Sequence, residues 1–287
     1  MKIIPLSEGT FTVDKTKLFV PFNEQDDELQ NRPTGSLLVE IQPFVVITSG
    51  DILLLDTGLG FKKNGILQLH QNLLNNDIHP SDVTKILLTH LHKDHAGGIS
   101  SEDSTNDSRQ LNFPNAKYYL QERELDFALD KGSPSFIPHE LQILKFSTRV
   151  VLLKEDKGMI DDHIFYEVTG AHSPYHQVFW IKEGEEKIFF GGDDAPQLQQ
   201  MKHRFIAKYD YNGKKAMELR KSWKEQGRKE KWTFLFITKR DYSPERLENG
   251  QKLRWSCGKN TRCGDSIWVY VTGEGICYCW RFRRGIQ

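Results

Sequence analysis

The segment Leu87–Ile99, "LLTHLHKDHAGGI", constrains this chain more than any other. It joins the apolar run "TKILLTH" (Thr84–His90) to three histidines and an aspartate within six residues. A continuous apolar run reads as a strand covered on both faces, the mark of a sheet inside an α/β domain. In extended backbone, a residue and the one two positions on share a side. His90 and His92 therefore direct two nitrogens toward one ion. Asp94 and His95 follow where the chain turns, in reach of a second ion. Neutral imidazole and carboxylate suit zinc, at about 2.0–2.2 Å. An exposed polar loop or a single structural histidine are the competing readings, and four such residues directly after a buried strand argue against both.

The rest of the chain alternates strand and helix signals. "SLLVEIQPFVVITSGDILLLDTGLG" (Ser36–Gly60) reads as short strands broken at Pro43 and at Ser49-Gly50-Asp51. "GILQLHQNLLNN" has apolar residues at helical spacing, Ile66, Leu69, Leu73 and Leu74. "SSEDSTNDSRQ" reads as a polar loop, "AKYYL" as a strand and "QERELDFALDK" as a helix. "TRVVLLK", "HIFYEVTG", "QVFWIKEG" and "EKIFFGGDD" are further strand candidates. "GKKAMELRKSWKEQGRKE" (Gly213–Glu230) is a charged amphipathic helix leading into the strand "WTFLFI". The pattern favours two sheets packed face to face with helices outside.

Composition narrows the partners. Lys+Arg and Asp+Glu are equal at 39 each, so no basic surplus points to nucleic acid. No run approaches the ~18 apolar residues of a membrane span. "MKIIPLSEGTFTVDK" lacks the apolar core of a secretory signal, so a cytoplasmic protein acting on a small-molecule substrate is expected. The apolar segment "KLFVPF" either joins a partner copy or folds back, and leaves the oligomeric state open.

The H-x-H-x-D-H cluster resembles the hallmark of the metallo-β-lactamase superfamily. Three further blocks match in order: "LLLDTGLG", "TGAHSPYH" and "FFGGDD". The resemblance spans roughly residues 37–237. It implies an α/β fold, a four-layer αββα sandwich, with a dinuclear site between the sheets. It gives His90, His92 and His172 to a first zinc, Asp94 and His95 to a second, and makes Asp193 the carboxylate shared between them. Asp56 takes the position that buttresses the ligands. Lys93 stands where diiron relatives carry an acid, which favours zinc hydrolysis over redox chemistry.

The implied activity is hydrolysis of an ester, lactone or thioester by a metal-bridging hydroxide, with Asp94 or Asp193 passing the proton. The shared Asp193 resembles the lactonase and hydroxyacylglutathione hydrolase branches. A phosphodiesterase or nuclease on the same scaffold is a second reading, weakened by the lack of a basic stripe. A non-catalytic relative is a third.

Some neighbours have plainer expectations. His176 packs or hydrogen-bonds, and Asp194 caps or faces solvent unless it competes with Asp193. Tyr175 replaces the family's glycine, and either strains the turn or points its phenol into the cleft. His70, His79, His139, His163 and His203 stand alone, as surface positions.

The family's last histidine ligand is missing: Thr238 stands in its place, and no histidine follows His203. The second zinc is therefore expected to bind more weakly, unless Asp241 or His203 substitutes. Residues 1–240 form the matched domain, and 241–287 a divergent tail. That tail holds eight Lys+Arg against five Asp+Glu and all four cysteines, Cys257, Cys263, Cys277 and Cys279. Tyr-His codons less one base read Ile-Thr, as at Ile237-Thr238, so an out-of-frame origin for the tail is one hypothesis. A native divergent tail, with or without a cysteine-bound metal, is the other.

Overall fold

A computed structural model describes residues 1–23, 26–102 and 108–237, together with the backbone of strands Trp268–Val271 and Cys277–Cys279. Thr238, Asp241, Cys257, Cys263 and the proposed change of reading frame lie outside the described residues.

Two sheets form the centre. The first has six strands in the order Lys2–Pro5, Phe44–Ile47, Ile52–Leu55, Lys85–Leu87, Lys117–Gln121, Val150–Leu153. The last four run parallel, so both faces need cover and the strands are apolar at their centres. The second sheet begins as an antiparallel meander, Lys157–Ile160, Ile164–Val168, Gln177–Glu183, Glu186–Phe190. Helix Gly213–Glu230 then returns the chain, so that Thr233–Leu235 pairs parallel to Glu186–Phe190. Backbone at Trp268–Val271 and Cys277–Cys279 extends that sheet.

Three apolar clusters correspond to the three interfaces of a four-layer sandwich. Val46, Leu53, Leu55 and Leu87 of the first sheet meet Phe179, Ile181, Ile188 and Phe190 of the second. The alternate residues, Val45, Leu54 and Ile86, turn outward to Leu69, Leu73, Leu125 and Leu144 of the covering helices. Val178, Phe189 and Phe234 pack outward on Leu198, Met201 and Trp223. Strand alternation thus supplies both faces of each sheet.

The strand expected at Thr84–His90 is shorter, Lys85–Leu87. Thr89, His90 and His92 lie beyond it, free to aim side chains into the site. The polar stretch after Ile99 is not only a loop: Ser100–Glu102 and Arg109–Leu111 pair antiparallel. "KLFVPF" folds back, with Phe19–Pro21 pairing against Gly9–Val13 in a three-stranded sheet completed by Leu37–Ile41. Among the described residues no helix is long and apolar enough to cross a membrane.

Candidate metal centre

The site lies where loops leave the ends of strands in both sheets. Asp56 follows Ile52–Leu55, His90 and His92 follow Lys85–Leu87, His172 precedes Gln177–Glu183, and Asp193 follows Glu186–Phe190.

The glycines of "HAGG" have a packing role. A Cβ on Gly97 would stand 2.2 Å from the Leu59 carbonyl oxygen, and one on Gly98 2.2 Å from that of Thr57. The loop after Asp56 lies directly on the loop that carries the ligands. It is stitched there by Thr57 N–H to the His95 carbonyl, 2.7 Å, and Gly97 N–H to the Gly58 carbonyl, 2.9 Å. Asp56 itself holds a left-handed backbone, φ 55°, which aspartate tolerates better than most residues.

His90, His92, His172 and Asp193 offer ligand atoms that all lie within 4.8 Å of one another. Nε2 of His90 is 2.9 Å from Nδ1 of His92, which is 3.1 Å from Nε2 of His172. Tetrahedral zinc at about 2.0–2.1 Å from each ligand would set such atoms about 3.3 Å apart, so the cluster is sized for one ion. Asp193 sends its two oxygens in different directions. Oδ2 is 3.0 Å from His172 Nε2, and Oδ1 is 3.2 Å from Nε2 of His95. Asp94 Oδ2 lies 3.9 Å from that same His95 nitrogen. One carboxylate therefore joins the His90, His92, His172 cluster to the Asp94, His95 pair.

Hydrogen bonds behind the ligands fix which nitrogens carry lone pairs. Asp56 accepts from the Thr89 hydroxyl at 2.8 Å and faces His95 Nδ1 at 2.7 Å. A carboxylate there requires N–H at Nδ1, leaving the His95 Nε2 lone pair toward Asp193. Thr89 gives its only proton to Asp56, so His90 Nδ1, 3.0 Å from the Thr89 oxygen, is the donor between them. His172 Nδ1 faces Asp210 Oδ1 at 2.9 Å. In each case Nε2 points inward. For His95 and His172 it faces a carboxylate oxygen, so a cation must lie between the two lone pairs, a proton when no metal is bound. The donor set fits divalent metals, zinc among them.

The electrostatics agree. Burial, and then the neighbouring histidines, hold His90 well below its ordinary pKa, in the neutral form that binds metal. Burial also opposes charge on His95, but Asp193 and Asp56 outweigh it and hold that pKa well above the ordinary value. Burial would raise Asp193; His172 and His95 hold it far below the usual carboxylate range instead. The field at Asp193 favours positive charge.

The neighbours resolve differently from some expectations. Asp194 neither faces solvent nor competes for the bridge. It is fully buried, accepts the His172 backbone N–H at 2.8 Å, and lies 3.0 Å from His176 Nδ1. Its backbone carbonyl accepts from the buried Arg220 guanidinium at 2.9 Å. Tyr175 has no left-handed backbone. Its ring stacks with the Arg123 guanidinium, 5.1 Å away, and meets Phe127 edge-on, so the phenol does not line the cleft. His70 is half-buried against Phe113 rather than a surface residue. His203 is exposed beside helix Gly213–Glu230 and apart from the cleft.

Three contributors carried no sequence signal strong enough to single them out: Thr89, Asp210 and Glu124. Glu124 is buried and accepts from the Leu91 N–H at 3.1 Å and the Ser173 hydroxyl at 2.9 Å. Leu91 sits between two ligands and Ser173 follows a third, so this one carboxylate ties the two ligand loops together. Thr89 lies within a recognised motif; Glu124 lies in helix Glu122–Lys131, outside all four, and Asp210, in "KYDYN", is separated from its partner by 38 residues.

The site opens into a cleft of about 690 Å³. Val13, Phe19, Leu37 and Val39 of the three-stranded sheet form its apolar wall, and Lys17, Arg32 and Lys93 line it as well.

Comparison with known proteins agrees with this geometry. Residues 39–236 match the family model described as the metallo-beta-lactamase superfamily. No curated protein matches the chain. Among solved structures, a probable metal-dependent hydrolase from Staphylococcus aureus is 19% identical, with a TM-score of 0.65 over 83% of this chain and 88% of that one. AbOPH, a hydrolase in the beta lactamase superfamily, is 25% identical, with a TM-score of 0.63 over 82% of this chain and 86% of its own. The dizinc quorum-quenching lactonase AidC, solved with a product, is 20% identical, with a TM-score of 0.62 over 98% of this chain and 95% of its own. The family model covers well over half of the chain, and with the four matching blocks and the shared fold it leads to one conclusion: this protein belongs to the metallo-β-lactamase superfamily.

Proposed function

We propose that the protein is a zinc-dependent hydrolase of a small ester, lactone or thioester. The observation that carries this reading is Asp193, with one oxygen toward His172 and the other toward His95. That arrangement suits two divalent ions held side by side. His90, His92 and His172 would hold the first and Asp94 and His95 the second, with Asp193 shared. Zinc in such a site supplies Lewis acidity and lowers the pKa of water from 15.7 toward about 7.

The chain's own groups do the rest. The cleft seats the acyl group against the apolar wall and presents its carbonyl carbon beside Asp193. Water adds to that carbon, the bond from carbon to the leaving oxygen or sulfur breaks, and the leaving atom takes up a proton. Asp94 and Asp193 are the carboxylates placed to hold that proton and return it. Asp56, Thr89, Asp210 and Glu124 keep the histidines oriented. The second ion binds more weakly than the first, because the described residues give it fewer protein ligands.

A panel of lactones, 4-nitrophenyl esters and thioesters, run beside bis-p-nitrophenyl phosphate on zinc-loaded protein, tests this. Turnover of a carboxylic ester, lactone or thioester, lost on chelation and restored by zinc, is expected. Turnover of the phosphodiester alone would favour the phosphodiesterase reading. No turnover of any member would favour a non-catalytic relative.

A further inference from the structure

We infer that the cleft takes an acyl compound bearing its own anionic group, a carboxylate or a phosphate, held by Lys93 and Lys17. This rests on the hydrolase reading and names the substrate class for that site.

The inference comes from accounting for every charged group on the cleft wall. Four carboxylates line it, Glu40, Asp56, Asp94 and Asp193, and each has an internal task. Asp56 serves Thr89 and His95, and Glu40 is buried and accepts from the Ser7 hydroxyl at 2.8 Å. Asp94 and Asp193 belong to the metal centre. Three cations line the same cleft, Lys17, Arg32 and Lys93. All three are half-buried, and among the described residues none has a carboxylate within 4 Å. Arg32 spends one donor on the Leu29 carbonyl.

Lys93 is held in place. It begins the helix Lys93–Ala96, its N–H donates to the Ser135 carbonyl at 2.9 Å, and its ammonium stands 5.6 Å from the centre of the Phe19 ring. Lys17, in the turn between strands Gly9–Val13 and Phe19–Pro21, lines the same cleft two residues before that Phe19. Two like charges on one partly dehydrated wall, neither ion-paired to a carboxylate within 4 Å among the described residues, are repulsive alone and favourable around a shared anion. Divalent ions at the centre add to the positive field, since the two carboxylates of Asp94 and Asp193 offset only part of their charge. A neutral substrate leaves that field unused. One whose acyl chain runs along Phe19 and ends in an anion satisfies it.

The test compares mono-4-nitrophenyl adipate with its uncharged methyl ester on zinc-loaded protein. The acid is expected to have about a tenfold higher kcat/KM, the scale of one charge-assisted hydrogen bond, and raised salt should erode the advantage. In the K17M/K93M double variant the acid-to-methyl-ester ratio should fall to about one, and K93R should retain most of it. A phosphonate of equal length separates the two anion types by its own ratio. Equal rates for acid and methyl ester, or a ratio unmoved in K17M/K93M, would overturn the inference. Turnover of neither ester would instead count against the hydrolase reading. Calorimetry with adipate and hexanoate then decides the anion site without catalysis: tighter adipate binding that K17M/K93M abolishes sustains it, and equal binding overturns it.

Discussion

Asp210 Oδ1 lies 2.9 Å from Nδ1 of His172, and this pair ties the segment before helix Gly213–Glu230 to a candidate metal ligand. The contact is reinforced by backbone: Tyr211 N–H donates to the His172 carbonyl at 3.0 Å and Asn212 N–H to that of Ala171 at 2.7 Å. Outer carboxylates of this kind fix the tautomer of a ligand and raise its basicity, and their loss typically lowers metal affinity by about 10–100-fold. D210N should therefore weaken the first zinc by that factor in competition with a chelator, with the fold intact by circular dichroism. Unchanged affinity would show the pairing to be incidental.

Glu124 gives a second prediction. E124A leaves the buried Leu91 N–H without its acceptor, at a cost of about 1–3 kcal/mol. Thermal unfolding should fall accordingly, and kcat should fall more than KM rises, because the ligand loops lose their common anchor. E124Q keeps a carbonyl oxygen for Leu91 and an amide for Ser173, and should recover most of both losses. E124Q as damaging as E124A would mean that the negative charge matters rather than the tether.

Glu8 sets a pH dependence in stability. It accepts from the Leu59 N–H at 2.6 Å and the Phe61 N–H at 3.1 Å, yet burial outweighs these bonds and pushes its pKa up to about 8. The folded chain holds this proton more tightly than the unfolded chain, whose carboxyl titrates near 4.5. The stability tied to protonated Glu8 is thus complete below about pH 4.5 and is lost as pH rises through about 8. Denaturant unfolding of the zinc-loaded wild type and E8Q at pH 5.5 and 8.5 should show the balance moving toward E8Q at the higher pH. A constant difference, or movement the other way, would contradict the assignment.

The interlocked glycines offer a contrast within one residue type. G98A places a methyl 2.2 Å from the Thr57 carbonyl and should destabilise by about 1–3 kcal/mol. G50A meets nothing within 4 Å and should stay within about 0.5 kcal/mol. Similar unfolding midpoints for the two would argue against close contact of the loops.

Much of the fold was legible because burial writes itself into the strands. "ILLL" is apolar throughout and "KIL" is apolar after its first residue, as suits parallel strands with two covered faces. The residues gathered at the site were legible because their spacing is local: His90 to His95 span six residues, and His172 and Asp193 each sit in a short motif. The outer partners were not. Asp210 is one aspartate among many until the chain folds it onto His172, and nothing near Glu124 indicates that Leu91 and Ser173 will both reach it. Of the two expectations for Asp194, capping or facing solvent, only the first fits: it is buried and accepts the His172 backbone N–H. Tyr175 escaped the expected strain because its backbone never enters the left-handed region.

The most direct test of the account is zinc titration of the wild type and H172A, followed by competition with a chelator. The account predicts two zinc ions in the wild type, the first bound more tightly. In H172A it predicts a loss of first-site affinity beyond the roughly 10–100-fold expected of an outer partner such as Asp210. Zinc binding by H172A indistinguishable from the wild type would contradict it.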